Sequence, residues 1–168
     1  MKSSERTVWF AIALTMLILI GCTTVPNKSP SPILVPPGLN KNDVENAILF
    51  AIADKPAPPD LAPGQRIADN ALSAFFGAYY EKVGSARQYR YFEDRADGVV
   101  YAGFQDRRYY MRTAVHYDAE KVRMEILESR NLRQNYGYIH KKAFDYLMIL
   151  ESRIRRLLGQ IARHNANL

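Results

Sequence analysis

The most constraining feature of the sequence is the alternation of side-chain types in RRYYMRTAVHYD, residues 107–118. Successive side chains of a β-strand point to opposite faces of a sheet, so this pattern predicts a strand with one apolar face and one polar face. The segment VRMEILE, residues 122–128, repeats the alternation after a turn at DAEK. Together they predict an antiparallel sheet with one face in water. The predicted inner residues are Tyr109, Met111, Thr113, Val115, Tyr117, Val122, Met124 and Ile126, and the outer ones are Tyr110, Arg112, Ala114, His116, Arg123 and Glu125.

Two earlier segments extend this sheet, and a long helix covers it. QYRYFED (88–94) and VVYAGF (99–104) consist of strand-type residues separated by the turn signal RADG. In residues 139–165, apolar side chains recur at steps of three and four, which predicts a strongly amphipathic helix. The sequence therefore predicts an α+β fold. We expect an antiparallel meander of about four strands with helices packed on one face, forming a two-layer sandwich.

The region before the strands predicts two more helices. Residues 40–55 form an apolar-periodic segment that Asn42 or Asp43 could cap. Residues 66–84 show a similar pattern and end at Gly84, a residue type that suits a helix end. Residues 129–138 lack a period and predict a loop. We expect one domain over residues 42–168. Its parts are a helical part with a proline-rich insert (42–88), strands (89–128) and a closing helix (139–163).

The amino terminus has the layout of an export signal. Lys2 and Arg6 precede an uncharged apolar run at residues 7–20, which is shorter than the roughly 20 residues that a membrane-spanning helix needs. This layout predicts a secretory signal peptide over residues 1–21. Its removal would take away Lys2, Arg6 and Glu5 and lower the formal charge from +6 to +5, so the basicity belongs to the mature chain.

The lone cysteine follows this run directly. Leu19-Ile20-Gly21-Cys22 resembles the lipobox of bacterial lipoproteins. That resemblance implies a diacylglycerol thioether on Cys22 and fatty acylation, for example by palmitate, of the new amino terminus. Several acyl chains anchor a protein stably to a membrane. Thr23, in place of Asp, favours the outer membrane over the inner one by analogy with enterobacterial sorting. The alternative is an uncleaved anchor with an incidental cysteine.

Prolines dominate the segment that follows Cys22. Such segments prefer extended conformations and act as semi-rigid spacers. Residues 22–41 therefore predict a lipidated cysteine with a tether that lifts the domain off the bilayer. The prolines of this segment are Pro26, Pro30, Pro32, Pro36 and Pro37.

Three segments follow one another in the carboxy-terminal half: GVVYAGF (98–104), VHYDAEKVRMEILESRNL (115–132) and YGYIHKKAFDYLMILESRIRRLL (136–158). Together they resemble a family of small, uncharacterised bacterial lipoproteins. In that family a strand ending in Tyr-Asp precedes a second strand, then Ser-x-Asn-Leu, a short loop and Ile-His at the start of the last helix. The resemblance covers roughly residues 89–158. It implies a location and a fold, and no biochemical activity. The matching residues are Tyr117, Asp118, Ser129, Asn131, Leu132, Ile139 and His140.

Three of these matching residues form a candidate ligand site. If the loop folds back, Ser129, Asn131 and His140 could meet in one polar cluster. The more common role of such residues is to form local hydrogen bonds to the loop backbone. A ligand pocket is the second interpretation. Catalysis is the least favoured, because the sequence contains no nucleophile elbow. The three histidines lack metal-site spacing, and no cofactor motif occurs. We therefore predict no catalytic residues, no metal and no cofactor.

Arginines and tyrosines of the strands form the other candidate site. If Tyr110, Arg112 and Arg123 share the wet face with Tyr91 and Tyr101, that face would be a basic, tyrosine-rich contact surface. Export argues against nucleic acid as a partner. An envelope protein or an anionic envelope polymer is the expected partner, besides the membrane that holds Cys22. A solvated face without a partner is the alternative.

Overall fold

A computed structural model describes residues 24–26, 29–57, 61–68, 80–83, 86–105, 108–130 and 138–168. Cys22, Arg107 and Asn131, and the whole predicted signal peptide, lie outside these residues. The elements in chain order are β1 (Thr24–Pro26), β2 (Ile33–Leu34), α1 (Lys41–Ala53), β3 (Tyr80–Val83), β4 (Ala86–Ala96), β5 (Val99–Gln105), β6 (Tyr110–Tyr117), β7 (Lys121–Arg130), β8 (Tyr138–His140) and α2 (Lys141–Asn165).

The predicted α+β fold is confirmed. Strands β4, β5, β6 and β7 form an antiparallel meander, and β3 and the two-residue β2 extend it at opposite edges in the order β2-β7-β6-β5-β4-β3. Strands β1 and β8 form a separate antiparallel pair. Both helices lie on the same side of the sheet: α1 contacts β4, β5 and β6, and α2 packs on α1.

The alternation of residues 107–128 produces the predicted faces. Met111, Thr113 and Val115 are fully buried beneath the helices, whereas His116 and Glu125 are exposed on the other face. Asp118 closes the turn between β6 and β7, because its carboxylate accepts hydrogen bonds from the backbone N–H groups of Glu120 (2.7 Å) and Lys121 (2.8 Å). These bonds lower the pKa of Asp118. The turn of RADG depends on Gly98, which adopts the left-handed conformation at φ 78°.

Helix α1 is buried around its whole circumference, as expected for a helix between a sheet and another helix. Its N-cap is Asn40, not Asn42 or Asp43. The Asn40 side chain accepts from the N–H of Asp43 at 3.1 Å, and the Asp43 carboxylate accepts from the N–H of Asn40 at 3.1 Å. This reciprocal capping box satisfies two donors that a helix leaves unpaired at its start.

Helix α2 confirms the predicted amphipathic helix but begins at Lys141 rather than at residue 139. Ile139 is buried in β8, where the backbone pairs with Val25. His140 has an extended backbone and is the N-cap, since its Nδ1 accepts from the N–H of Lys142 at 3.1 Å. The pairing of β8 with β1 therefore keeps Ile139 and His140 in an extended conformation, so the helix begins two residues later than the apolar period alone predicts.

The predicted helix over residues 66–84 is wrong at both described ends. Residues 66–68 have no regular structure, and Tyr80–Val83 form strand β3 in register with Ala86–Tyr89. Residues 69–79 lie outside the described residues. The reason is long-range pairing: β4 offers an unpaired edge, and backbone hydrogen bonding to that edge overrides a local helical period.

The predicted tether also needs correction, because the folded domain begins before residue 42. Ile33 and Leu34 pair with Val122 and Lys121 at the edge of β7, and the Ile33 side chain is only 1% exposed. Prolines are tolerated on such an edge strand, because one of its sides has no neighbouring strand to which backbone N–H groups must donate. A proline-rich segment therefore closes the sheet edge where an extended spacer was expected.

Candidate interaction surface

The outer side of the sheet, opposite the helices, carries an ordered array of aromatic and charged side chains. We call it the tyrosine face. Register places Tyr91 opposite Gly103, Gly103 opposite Arg112, and Arg112 opposite Glu128. One row of side chains therefore crosses four neighbouring strands. The members of the tyrosine face are Tyr91, Glu93, Tyr101, Tyr110, Arg112, Arg123, Glu125, Glu128 and Arg130.

Arg112 lies at the centre of this face and is held by two neighbours. Its Nε donates to the Glu93 carboxylate at 2.6 Å, and its guanidinium lies 5.4 Å from the centre of the Tyr101 ring. The hydrogen bond to Glu93 raises the pKa of Arg112. Such cation–π and charge-assisted contacts fix an arginine that solvent would otherwise leave mobile.

The tyrosines of this face are packed against each other and against the sheet. The Tyr91 ring lies across Gly103, so closely that a Cβ at residue 103 would fall 2.1 Å from the ring. Its hydroxyl is hydrogen-bonded to Tyr110, and burial together with this bond raises the pKa of Tyr91. The Arg130 guanidinium lies 5.4 Å from the Tyr110 ring centre. The array is thus held in place by contacts within the sheet.

Among the described residues of this face, glutamates accompany the arginines that the sequence analysis expected to make it basic. Two of the arginines have an acidic partner: Arg112 bonds to Glu93, and Arg130 bonds to Glu128 at 3.1 Å. Arg123 pairs in register with His116, whose ring lies 3.5 Å from the Glu125 carboxylate. The described part of the face is therefore rich in tyrosine, and its arginines are accompanied by a similar number of glutamates. Sequence reasoning counted the arginines but could not place the glutamates that register brings beside them.

The structure assigns a local role to His140, and of the two residues predicted to cluster with it, Ser129 is described and Asn131 is not. His140 caps α2, and its ring stacks at 5.1 Å on Tyr109. Ser129 pairs in register with Met111 near the end of β7. Asn131 lies outside the described residues. The N-cap hydrogen bond occupies the Nδ1 lone pair, so Nδ1 is not available as a general base in this arrangement.

A buried charged cluster lies on the inner side of the sheet, and sequence reasoning missed it. Glu45 of α1 bonds to Arg95 of β4 at 2.9 Å and to Arg66 at 3.2 Å, and Arg95 also donates to the carbonyl of Ile67 at 2.6 Å. The Tyr117 hydroxyl is hydrogen-bonded to Glu45, and burial is the main cause that raises the pKa of Tyr117. The available signal was Glu45 itself, an acidic residue directly after Val44 in an apolar-periodic segment.

Two concave regions flank α1. One, of about 460 Å³, lies over the buried charged cluster and is lined by Lys41, Arg66 and Asp97 among others. The second, of about 200 Å³, lies between the start of α1 and the end of α2. Apolar side chains line most of it, with Asp43, His164 and Asn165 at its polar side. Asp43 is already engaged, since it accepts from Asn40 and from the N–H of Gly64 at 2.7 Å.

Neither a metal site nor a membrane-spanning helix emerges from the described ranges. Within them, no group of three or more histidine, cysteine, aspartate or glutamate side chains is arranged to hold a metal ion. Among the same residues, no helix combines the length and the apolar character that crossing a bilayer requires.

No protein-family model, curated protein or solved structure matches this chain. The resemblance to the small lipoprotein family therefore stays a prediction. The structure gives local roles to three of the matching residues that it describes. Asp118 closes a turn, Tyr117 bonds to Glu45, and His140 caps a helix.

Proposed function

We propose that this chain is a lipid-anchored lipoprotein of the bacterial cell envelope, held at the outer membrane through Cys22. Its tyrosine face would bind another envelope component without catalysis. The lipobox resemblance and the apolar run before it support the anchor. The observation that carries the binding role is the ordered Tyr–Arg array on a sheet face opposite both described helices.

The composition of this face favours a protein partner. Tyrosine and arginine dominate the residues whose loss weakens protein–protein complexes most. Arg112 and Tyr91 are already fixed by neighbours, so binding would cost less side-chain entropy. An anionic polymer would need a surplus of positive charge, whereas the arginines of this face are balanced by glutamates. We therefore place an envelope protein ahead of an anionic polymer.

Photocrosslinking in intact cells tests this proposal. A benzoylphenylalanine is placed at Leu127, which is 42% exposed beside Glu128, and a control is placed at the exposed Ala62 away from this face. A discrete crosslinked partner is expected from position 127 only. Arg112→Glu with Arg123→Glu should abolish it.

A charge-swapped variant separates binding from folding. Arg112→Glu combined with Glu93→Arg keeps the local ion pair but exchanges its ends. If a partner recognises Arg112, the swapped protein folds normally and loses the crosslink. An unchanged crosslink in both variants would rule out the tyrosine face as the contact surface.

Small-ligand binding is a second candidate function, favoured by the 200 Å³ cavity beside Asp43 rather than by the residues around His140. Thermal-shift screening of small envelope metabolites against the mature protein tests it. The control variant Ala62→Trp fills the rim of the cavity. A stabilising compound should lose its effect in that variant, and no stabilising compound would count against this function.

A further inference from the structure

The pairing of β1 with β8 determines where a lipid on Cys22 would join the domain. Thr24 pairs with His140, and Val25 pairs with Ile139. Cys22 precedes Thr24 by two residues, and two Cα–Cα steps span at most about 7 Å. The anchor would therefore enter the domain beside the first turn of α2, without a long spacer between them.

The solvent-facing side of α2 carries much of the protein's positive charge. Residues 141–165 contain six lysines and arginines and two acids, so this one helix has a formal charge of +4 in a chain of +6. Of the two acids, Glu151 is buried and bonds to Arg155. The exposed charged residues are Lys141, Lys142, Asp145, Arg155, Arg156 and Arg163.

Two large apolar side chains lie between these cations. Met148 is 41% exposed and Ile149 is 45% exposed, one turn or more from Lys142 on one side and from Arg155 on the other. A helix of 25 residues is about 37 Å long, so this cationic and apolar strip extends along the domain. Helices that lie in a membrane interface combine cations with exposed apolar residues in this way.

The lysines at the start of α2 do not serve the helix itself. Lys141 and Lys142 occupy its first turn, which contains no acidic residue. Positive charge at a helix N-terminus is unfavourable because the helix dipole has its positive end there. Lys142 lies 4.4 Å from the centre of the Tyr109 ring, so part of its charge is compensated within the domain, and an anionic surface beside this first turn would compensate more of it.

We propose that the exposed side of α2 lies on an anionic phospholipid surface, with the anchored strand β1 at one end of the contact. This inference rests on the proposed lipid anchor. Anchor and cations are adjacent, and the phosphates of anionic lipids complement the charge of α2. The tyrosine face, on the other side of the helices, then points away from the bilayer and toward a partner.

Fluorescence quenching on vesicles tests this orientation. The lipidated protein is reconstituted into vesicles of phosphatidylcholine with phosphatidylglycerol, and into vesicles of phosphatidylcholine alone. The chain has a single cysteine, which lipidation blocks, so Ser152→Cys on the exposed side of α2 gives one free thiol for a fluorophore. Glu125→Cys on the outer side of the sheet is the matched control. The two positions are separated by a domain thickness on the order of 30 Å.

Headgroup spin labels should quench the fluorophore at residue 152 and leave that at residue 125 unaffected. The quenching should require phosphatidylglycerol, and it should be lost in the variant Lys141→Gln, Arg156→Gln, Arg163→Gln, whose fold is checked by thermal melting. Equal quenching at both positions, or quenching at residue 152 without phosphatidylglycerol, would overturn the inference. The intact mass, read before reconstitution, tests the anchor separately: a Cys22 without acyl groups would refute the proposed anchor itself.

Discussion

Two arginine–glutamate pairs lie on opposite faces of the same sheet. Arg95 and Glu45 form the inner pair, in which both side chains are 3% exposed. Arg112 and Glu93 form the outer pair, at 35% and 37% exposure. The chemistry is the same, but burial differs. Removing a partner from the inner pair leaves a charge without water, whereas removing one from the outer pair returns a charge to solvent. The inner pair therefore serves the fold, and the outer pair is free to serve a partner.

The largest expected effect is the difference in stability loss between variants of the inner pair and of the outer pair. Arg95→Ala should lower the free energy of unfolding by about 3–5 kcal/mol, because it leaves Glu45 buried beside fewer donors. Arg112→Ala should lower it by less than about 1 kcal/mol. Urea denaturation of the two variants measures both values. Equal losses would show that burial does not separate the two pairs.

The next effect concerns the packing of the tyrosine face. Gly103→Ala should cost about 1–3 kcal/mol, because its Cβ would overlap the Tyr91 ring and force it off the sheet. Gly159→Ala is the matched control in α2, where a Cβ meets nothing within 4 Å. That change should stabilise the protein by about 0.5–1 kcal/mol. A harmless Gly103→Ala would mean that the Tyr91 ring is not fixed.

Variants of His140 test whether this residue stabilises the fold as a helix cap or binds a ligand or partner. His140→Ala removes the N-cap of α2 and should cost about 0.5–2 kcal/mol in thermal or urea unfolding. His140→Asn supplies another capping side chain and should restore most of this stability. A loss of ligand or partner binding in His140→Asn, with stability intact, would contradict a capping role and favour a functional histidine.

The smallest expected effect is a pH dependence of the free energy of unfolding that comes from two exposed carboxylates. Hydrogen bonds from the backbone lower the pKa of Asp118, and Lys41 lowers that of Asp97. A carboxylate with a lowered pKa in the folded state stabilises the protein above its unfolded pKa of about 4, and this contribution disappears as the pH falls below that value. Urea unfolding at neutral and acidic pH should show the decline, and Asp118→Asn should reduce it. An identical decline in that variant would contradict the role of Asp118.

The sequence predicted local patterns well and long-range partners poorly. Alternation placed Met111, Val115 and Val122 on the inner face, and the apolar period identified α2. Strand β3 was missed because only the free edge of β4 favours a strand there. The ion pair between Glu93 and Arg112 was missed because these residues are 19 positions apart and meet only through the register of β4, β5 and β6. Local periodicity can be read from neighbouring residues of the sequence, but pairing between strands depends on the whole fold.

Mass spectrometry of the mature amino terminus, combined with membrane fractionation, tests the central claim most directly. We expect a protein in the outer-membrane fraction whose first residue is Cys22, with a diacylglycerol on its sulfur and a fatty acyl group on its nitrogen. Cys22→Ala should release the protein from the membrane. A mature protein that begins at another residue, or an unmodified Cys22 in the soluble fraction, would contradict the proposal of a lipid-anchored envelope module.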